Sequence, residues 1–248
     1  MNLQQFEQSR MPIIEIFNSV SGEGVSAGSV MTFVRVAGCN LRCDYCDTKY
    51  SYNEFSNDIQ ELKPNEIVNI LDNYNCKNVL CTGGEPLELN KVKRYLPLYL
   101  ALKGFKVRIE TNGSYPLYSK TELNDFVEDT NFLKLNYALD VKCPDSGMSN
   151  YNIYNENFKL LGSDDEIKFI VGSRRDLEFA FETIKEHRNI LSQTGVTINF
   201  SPVFGKLDCI EIVNMLKEKN AYFEEYELTV RLSLQIHKFI WPLEARGV

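Results

Sequence analysis

The stretch GCNLRCDYCDT, residues 38–48, decides the fold that we expect for this chain. It places Cys39, Cys43 and Cys46 in a C-x3-C-x2-C pattern directly after the apolar run VMTFVRVA, residues 30–37, which predicts a β-strand. The three thiols would therefore meet in the loop that follows this strand. A structural zinc site or a fully ligated iron–sulfur cluster takes four protein ligands. Because no fourth cysteine or histidine follows at a short finger-type spacing, the pattern predicts a metal centre with one open position.

The composition narrows the class of protein. Of the 248 residues 44% are hydrophobic and 12% aromatic, which is enough to bury a substantial core. The net charge of −7 lacks the basic excess of a nucleic-acid-binding surface, and no apolar run reaches the length of a membrane span. Clustered cysteines without a signal peptide favour a metal site over disulfides and a cytoplasmic location. We therefore expect a small-molecule substrate and neither a nucleic-acid nor a membrane partner.

Alternating strand-like and helix-like segments predict a single α/β domain over residues 12–248. We interpret residues 1–11 as an N-terminal extension, either native or left from expression. Six strands that alternate with six helices predict a parallel sheet, whose ligands bind at the carboxyl ends of its strands. The predicted strands cover 30–37, 78–82, 106–110, 137–141, 166–171 and 196–201, and the predicted helices cover 64–74, 90–102, 121–129, 149–160, 174–191 and 208–219.

Four predicted strands end in glycine-rich or polar residues. Each of these segments, taken alone, would fit an ordinary turn. Their common position at the carboxyl ends of strands favours one shared ligand site. The segments are TGGEP at 82–86, ETNG at 110–113, the group Asp140, Lys142 and Pro144, and SPV at 201–203.

These motifs together resemble the radical S-adenosylmethionine (SAM) superfamily, whose fold is a partial or full (β/α)6 barrel of the TIM type. The cysteine pattern after the first strand, GGEP after the second and ETNG after the third carry the resemblance, which spans nearly the whole chain from residue 12. Within the superfamily, four further segments resemble the 7-carboxy-7-deazaguanine synthase family. They are SGEG at 21–24, RVAGC at 35–39, CDT at 46–48 and the tail from LQIHKFIW at 234–241 to RGV at 246–248.

The resemblance implies a ring-contracting carbon–nitrogen lyase of queuosine and 7-deazapurine biosynthesis. Its substrate would be 6-carboxy-5,6,7,8-tetrahydropterin, which is converted to 7-carboxy-7-deazaguanine with loss of ammonia. In this family a 4Fe–4S cluster on three cysteines, here Cys39, Cys43 and Cys46, is chelated at its open iron by SAM, which is cleaved reductively to a 5′-deoxyadenosyl radical. A flavodoxin- or ferredoxin-type electron donor and a homodimer are implied as well. Thr48 matches the position that binds Mg2+, for which a hydroxyl is a suitable hard ligand.

The resemblance assigns most of the strand-end residues to SAM. Gly83 and Gly84 leave room for its methionine end, and Glu85 is expected to accept hydrogen bonds from its ammonium group. Two alternatives stay open, because Tyr45 also fits a core aromatic position and Asp140 also fits a simple ion pair with Lys142. The predicted SAM-binding residues are Tyr45, Gly83, Gly84, Glu85, Asn112, Asp140, Lys142, Ser201, Pro202, Val203 and Phe204.

The carboxylate of the implied substrate requires a fixed cation, and we assign that role to Arg35. Its planar guanidinium suits a bidentate carboxylate contact, provided that its side of the strand faces the cluster. Ser21 stands where many relatives carry glutamine, so we expect only its backbone to make the family contact. His187 is expected to be structural, as are Cys76, Cys81, Cys143 and Cys209. The predicted substrate-binding residues are Val20, Ser21, Gly22, Glu23, Arg35, Thr82, His237 and Val248.

Two other functions remain open at this point. A glycyl-radical activating enzyme shares the cysteine spacing but acts on a protein backbone, so it would need a docking surface for a large partner. The matches at Arg35 and in the C-terminal tail speak against it. A non-catalytic iron–sulfur carrier or a zinc-binding module would use the same cysteines without SAM.

Overall fold

The computed structural model describes residues 1–55, 58–127, 129–130 and 132–248. The strands are β1 (Met11–Val20), β2 (Val30–Val36), β3 (Gln60–Leu62), β4 (Asn78–Gly83), β5 (Lys106–Thr111), β6 (Lys134–Val141), β7 (Glu166–Val171), β8 (Thr197–Pro202) and β9 (Val230–Leu232). The helices are α1 (Leu3–Gln8), α2 (Pro64–Asn73), α3 (Leu96–Leu102), α4 (Lys120–Phe126), α5 (Tyr154–Asn157), α6 (Arg174–Thr194), α7 (Cys209–Glu225) and α8 (His237–Ile240).

One sheet contains all nine of these strands, in the order β3-β1-β2-β4-β5-β6-β7-β8-β9. The six predicted strands are confirmed as β2 and β4 to β8, and each pairs in parallel with its neighbour. The sheet is not closed, because β3 and β9 form its two edges. The expected partial barrel is therefore confirmed, and the carboxyl ends of its parallel strands lie along one edge.

The expectation of a purely parallel sheet is wrong at its N-terminal side. Strand β1 runs antiparallel to both β2 and β3. The pairing of β1 with β2 shifts register between Ile13 and Glu15, and such an irregularity breaks the alternation by which a strand is recognised. Strands β3 and β9 contain three residues each, too few to show a period.

The helix predicted over residues 149–160 is also wrong. The segment forms a 3-10 turn over Ser149–Tyr151, the four-residue helix α5 and a second 3-10 turn over Phe158–Leu160. Asparagine side chains compete with the helix for backbone groups here. The Asn152 amide donates to Lys142 O and accepts from Lys142 N, both at 2.9 Å, and Asn157 accepts from the backbone N–H of Leu117.

Two other predicted helices are shorter than expected. A 3-10 turn over Val92–Tyr95 replaces the first part of the predicted helix over 90–102, and α3 follows it. Helix α4 ends at Phe126, whereas the prediction extended to residue 129, and residue 128 of that span lies outside the described residues. Helices α2, α6 and α7 confirm the remaining predictions to within a few residues.

Residues 3–8, which the sequence prediction left outside the domain, pack on its core. Asn2 caps α1 by accepting from the backbone N–H of Gln5, as N-cap residues do. The Phe6 side chain is fully buried, with its ring centroid 5.3 Å from that of Tyr99 and 5.7 Å from that of Phe126. Helix α1 therefore shares the main hydrophobic cluster.

Several side chains have the structural roles that we expected. His187 is buried on α6, where its Nδ1 lies 2.9 Å from Thr183 O and its ring packs edge-on against Phe158. Cys81 and Cys143 are buried, whereas Cys76 and Cys209 are only half-buried. Among the described residues, no helix combines the length and the hydropathy that a membrane span requires.

Candidate active site

A cavity of about 430 Å³ lies at the carboxyl ends of the parallel strands. Of the predicted cluster, magnesium, SAM and substrate residues, all line this cavity except three. The exceptions are Glu85, Ser201 and Pro202. The topology therefore brings together strand-end segments that are separated by up to two hundred residues of sequence.

The three predicted cluster cysteines lie in the loop after β2 and line one wall of the cavity. The Leu41 N–H donates to Cys39 Sγ at 3.4 Å, and Thr48 Oγ1 lies 3.6 Å from Cys46 Sγ. Burial raises the pKa of the Cys39 and Cys43 thiols, so metal binding must displace their protons.

The three thiols line one cavity, as the three cysteine ligands of an iron–sulfur cluster would. Among the described residues, no three histidine, cysteine or carboxylate side chains form a group that could hold a single metal ion.

The Gly83-Gly84 turn packs directly against the backbone that precedes Cys39. Gly83 has a φ of +118°, a conformation that side chains disfavour. A Cβ on Gly84 would lie 1.9 Å from Gly38 O, and the Glu85 N–H donates to that same oxygen at 2.8 Å. The two glycines therefore fix the cysteine loop in addition to leaving space in the cavity.

The structure does not support the expected contact between the Glu85 carboxylate and SAM. This side chain is fully buried behind the glycine turn and does not line the cavity. It accepts hydrogen bonds from the backbone N–H of Leu87 at 2.8 Å, the Thr111 hydroxyl at 2.8 Å and the Asn112 N–H at 2.7 Å. Glu85 therefore ties the end of β4 to the end of β5, and burial raises its pKa.

Ser201 and Pro202 also lie away from the cavity, at the end of β8. Ser201 is fully buried, and its hydroxyl has no hydrogen-bond partner among the described residues. Only Val203 and Phe204, which follow the strand, line the cavity. The residues just beyond the strand therefore reach the site, whereas those within it pack against the core.

Tyr45 and Asp140 make the structural contacts left open for them and also line the cavity, so their binding of SAM stays a prediction. The Tyr45 hydroxyl donates to Ile170 O at 3.3 Å, burial raises its pKa, and the side chain lines the cavity. Lys142 Nζ pairs with Asp140 Oδ2 at 2.8 Å, and both of these residues line the cavity as well. Packing and ion pairing thus hold these side chains in place within the cavity wall.

Arg35 faces the cavity, as its assigned role requires. It stands opposite Thr82 on β4 and opposite Glu15 on β1, and paired residues share one face of a sheet. Its Nε donates to Glu15 Oε1 at 2.6 Å. The Tyr50 hydroxyl donates to the same carboxylate oxygen at 3.0 Å. The Arg35 Nη groups have no hydrogen-bond partner among the described residues, so they are available to a ligand.

The C-terminal tail docks on the turn that follows β1. The Ile236 N–H donates to Gly22 O at 2.9 Å, and a Cβ on Gly22 would lie 2.0 Å from His237 Nδ1. Glycine is therefore required at this position for His237 to approach. Farther along, the Arg246 guanidinium lies 3.8 Å from the centre of the Tyr50 ring. Residues 241–248 all line the cavity.

The sequence analysis missed Lys168, which lines the cavity from β7. Its Nζ lies 2.8 Å from Glu23 Oε2 and 3.5 Å from Glu110 Oε1. The strand reads EIKFIV, residues 166–171, so a lysine among mostly apolar residues was visible in the sequence, as Arg35 was. Other cavity residues lie in segments that the sequence analysis singled out without giving these residues a role, among them Glu110, Thr111, Gln235, Lys238, Trp241 and Arg246.

The fold and this site define a radical SAM protein, and residues 33–136 match the Radical SAM superfamily. The chain is 38% identical to 7-carboxy-7-deazaguanine synthase from Clostridium acetobutylicum, over 95% of this chain and 98% of the relative. It is 35% identical to the protein of that name from Koribacter versatilis, over 96% of this chain and 100% of the relative. The chain therefore belongs to the 7-carboxy-7-deazaguanine synthase family, which implies a 4Fe–4S cluster and SAM as cofactors.

A solved structure shares the fold. The crystal structure of QueE from Escherichia coli has a TM-score of 0.68 to this chain at 20% sequence identity. The match covers 93% of this chain and 96% of that chain. The likeness of fold therefore extends over both proteins almost from end to end.

Proposed function

We propose that this protein converts 6-carboxy-5,6,7,8-tetrahydropterin to 7-carboxy-7-deazaguanine with loss of ammonia, in the biosynthesis of queuosine and related 7-deazapurines. One observation carries the proposal: the cysteine loop and the Arg35 guanidinium line the same cavity. The carboxylate-binding group thus lies within reach of the cluster site. An iron–sulfur carrier has no need for such a group.

Three thiolates, those of Cys39, Cys43 and Cys46, would hold the cluster and leave one iron open to SAM. When bound, the cluster and SAM supply a carbon-centred radical that abstracts hydrogen from the substrate. The protein has to orient the substrate against that radical and keep water out. The tail residues 241–248 would serve the second purpose, since they line the same cavity as the three cysteines.

Arg35 would bind the carboxylate of the pterin through its Nη groups. The Glu15 carboxylate fixes the guanidinium through Nε, at 2.6 Å, and leaves the Nη edge for a bidentate contact. The Phe17 and Tyr50 rings lie 5.9 Å and 5.8 Å from the guanidinium carbon. These contacts restrict Arg35 before the substrate arrives, which lowers the entropic cost of binding.

A turnover assay tests the proposed function. The purified protein is reconstituted with iron and sulfide under anaerobic conditions and supplied with the pterin, SAM, Mg2+ and a reductant. We expect 7-carboxy-7-deazaguanine and ammonia in equal amounts, and none in a matched reaction without SAM. A protein that carries the cluster and cleaves SAM but forms no deazaguanine from this pterin would contradict the proposal.

We propose in addition that Thr48 binds Mg2+ together with oxygen atoms of the substrate. Thr48 lines the cavity next to the cluster loop, and a hydroxyl is a suitable ligand for an ion that keeps several waters. Replacing Thr48 by Val removes the hydroxyl and preserves the shape of the side chain. We expect the Mg2+ concentration for half-maximal turnover to rise by roughly tenfold, as for other losses of metal-site contacts. An unchanged Mg2+ response would remove Thr48 from the site.

A homodimer, a flavodoxin- or ferredoxin-type electron donor and a cytoplasmic location complete the proposal. They follow from the family likeness that the sequence motifs carry. Sedimentation of the purified protein tests the first, and turnover with a reduced flavodoxin in place of a chemical reductant tests the second.

A further inference from the structure

Lys168 lies where the two predicted halves of the cavity meet. Its Nζ is 2.8 Å from Glu23 Oε2, 3.5 Å from Glu110 Oε1 and 3.5 Å from Asp140 Oδ1. Only 5% of the Lys168 side chain is exposed. Glu23 belongs to the predicted substrate residues and Asp140 to the predicted SAM residues. A single buried ammonium group therefore contacts both sets.

Four separate elements supply this arrangement, which we call the buried charge cluster: Glu23, Glu110, Asp140, Lys142 and Lys168. Strand pairing places Asp140 of β6 directly opposite Lys168 of β7. Glu110 comes from β5, and Glu23 comes from the turn after β1. The cluster is thus fixed by the sheet and does not depend on long flexible loops.

The two glutamates are each held at both carboxylate oxygens. Lys168 contacts one oxygen of Glu23, and the Gln235 amide donates to the other at 2.6 Å. Lys168 also contacts one oxygen of Glu110, and the Thr82 hydroxyl donates to the other at 2.7 Å. The positions of both carboxylates are therefore set by one cation and one neutral donor each.

Among the described residues near Lys168, few other cations can neutralise the carboxylates of the charge cluster. Three carboxylates of the cluster face two ammonium groups, and Lys142 is already paired with Asp140 at 2.8 Å. In the adjoining layer Arg108 pairs with Glu166 at 2.9 Å. His237 also lies close enough to influence Glu23. Without Lys168, the three carboxylates would share one ammonium, and Glu23, the least exposed of them at 14% of its side chain, would lose the charge that lowers its pKa.

The protonation of Glu23 depends on this contact. Burial by itself raises the pKa of this carboxyl, but the Lys168 charge and the hydrogen bonds from Lys168 and Gln235 lower it to about 2. Burial lowers the pKa of Lys168, yet the charges of Asp140, Glu110 and Glu23 raise it well above its ordinary value. Both partners therefore remain charged over the neutral range.

We infer that Lys168 is a positioning residue, which keeps Glu23 ionised and holds Glu23 and Glu110 in place as hydrogen-bond acceptors for the N–H groups of the pterin. The inference rests on the proposed function, because it takes the pterin as the substrate. An ionised carboxylate only accepts hydrogen bonds, whereas a protonated one also donates. The ring N–H and amino groups of a pterin are donors, so they match the ionised form.

The first test compares Lys168→Met, which removes the charge, with Lys168→Arg, which keeps it. Lys185→Met, on the exposed face of α6, is the matched control for losing a lysine. We expect Lys168→Met to raise the KM for the pterin by about tenfold or more, as losses of buried charged contacts do. The low-pH side of its kcat/KM profile moves to higher pH, because Glu23 then protonates more easily. Lys168→Arg recovers most of both properties, and Lys185→Met changes neither.

The second test needs no cofactor. Glu23 has a folded pKa of about 2 against an ordinary value of 4.5, so its stabilising effect grows as the pH rises through that range. In Lys168→Met the pKa of Glu23 rises, because the charge and the hydrogen bond of Lys168 no longer lower it, so less of this pH-dependent stabilisation remains. The gap in melting temperature between the wild type and Lys168→Met should therefore widen from pH 4 to pH 7. A role limited to packing of the lysine chain would leave a constant gap.

Several outcomes would overturn the inference. An unchanged pH profile and KM in Lys168→Met, while the wild type turns over the pterin, would refute the role of Lys168 and leave the proposed function standing. If Lys168→Met does not fold, Glu23→Gln, which mimics the protonated carboxyl, is compared with the wild type, and an unchanged KM for the pterin and pH profile would refute the inference. If the cluster-loaded wild type forms no deazaguanine product, the proposed function fails, and the inference fails with it.

Discussion

The cysteine loop and the buried charge cluster form two walls of one cavity, and they are encoded in opposite ways. The loop takes its three thiols from eight consecutive residues, 39–46. The charge cluster takes its five side chains from four elements that span residues 23 to 168. The first is a local motif, whereas the second exists only once the sheet has formed. The cofactor site can therefore be predicted from the sequence, whereas the substrate environment depends on the register of the strands.

The cysteine loop and the charge cluster also differ in their protonation when no ligand is bound. The thiols of Cys39 and Cys43 are neutral in the free protein, since burial raises the pKa of each. The Glu23 carboxylate of the charge cluster keeps its charge, because Lys168 and Gln235 lower its pKa to about 2. The cysteine loop therefore loses protons when the iron–sulfur cluster binds, whereas Glu23 already has the charge with which it would bind the substrate.

The largest expected effect is on the cysteine loop. Cys43→Ala removes one of the three ligands, so we expect complete loss of the iron–sulfur cluster and of SAM cleavage. Iron content and absorption of the anaerobic protein measure the first, and 5′-deoxyadenosine formation measures the second. Cys76→Ala, at a half-buried cysteine outside the cavity, is the control and should retain both. SAM cleavage that survives in Cys43→Ala would refute the ligand assignment.

The next effect falls on the substrate wall and leaves the cluster intact. Arg35→Ala removes the cation for the substrate carboxylate, and losses of buried charged contacts cost about 2–4 kcal/mol, or roughly 30- to 1,000-fold in affinity. The affinity of Arg35→Lys for the pterin should lie between that of the wild type and that of Arg35→Ala, because a lysine keeps the charge and loses the bidentate geometry. Titration with the pterin measures the affinity, and iron content should equal that of the wild type.

Arg174→Ala, at an exposed arginine that pairs with Glu211, serves as the control for Arg35→Ala. We expect it to bind the pterin as the wild type does. An Arg35→Ala protein with wild-type affinity would show that the two walls are not divided between cofactor and substrate in the way that we describe.

The sequence predicted the six central strands because strand-like and helix-like segments alternate along the chain, and five of the six strands lead into a distinctive polar, glycine-rich or cysteine segment. It also predicted that these ends meet, since parallel strands share an edge. It failed where the information is not local. Strand β1 is irregular at Ile13, and the asparagines near residue 152 bond to the backbone in place of a helix. Glu85 was assigned to SAM from its motif, but only the packed structure shows that other groups already occupy its carboxylate.

Glu85 lies behind the glycine turn and connects the end of β4 to the end of β5. Glu85→Gln keeps the size of the side chain but places amide N–H donors against a pocket built of donors. We expect a loss of about 1–3 kcal/mol in the free energy of unfolding, the cost of leaving a buried hydrogen-bonding group unsatisfied. Denaturant unfolding measures it. Glu182→Gln, at an exposed glutamate of α6, should be neutral. An equally stable Glu85→Gln protein with weakened SAM binding would restore the direct contact that the structure argues against.

The smallest effect is expected at Tyr50, which follows the cysteine loop in the sequence and lines the cavity. Its hydroxyl donates to Glu15, and Glu15 in turn holds Arg35. Tyr50→Phe removes only the hydrogen bond from Tyr50 to Glu15, which is worth about 0.5–1.5 kcal/mol. We therefore expect the KM for the pterin to rise by roughly two- to tenfold.

The pH dependence of this variant separates a positioning role from a titrating one. Burial raises the pKa of Tyr50 to about 12, so the hydroxyl stays neutral and keeps donating throughout the range in which the enzyme is assayed. The ratio of KM between Tyr50→Phe and the wild type should therefore be constant from pH 6 to about pH 10. A ratio that changes within that range would mean that Tyr50 titrates in the free protein, and Glu15 would then hold Arg35 without a fixed donor at its other side.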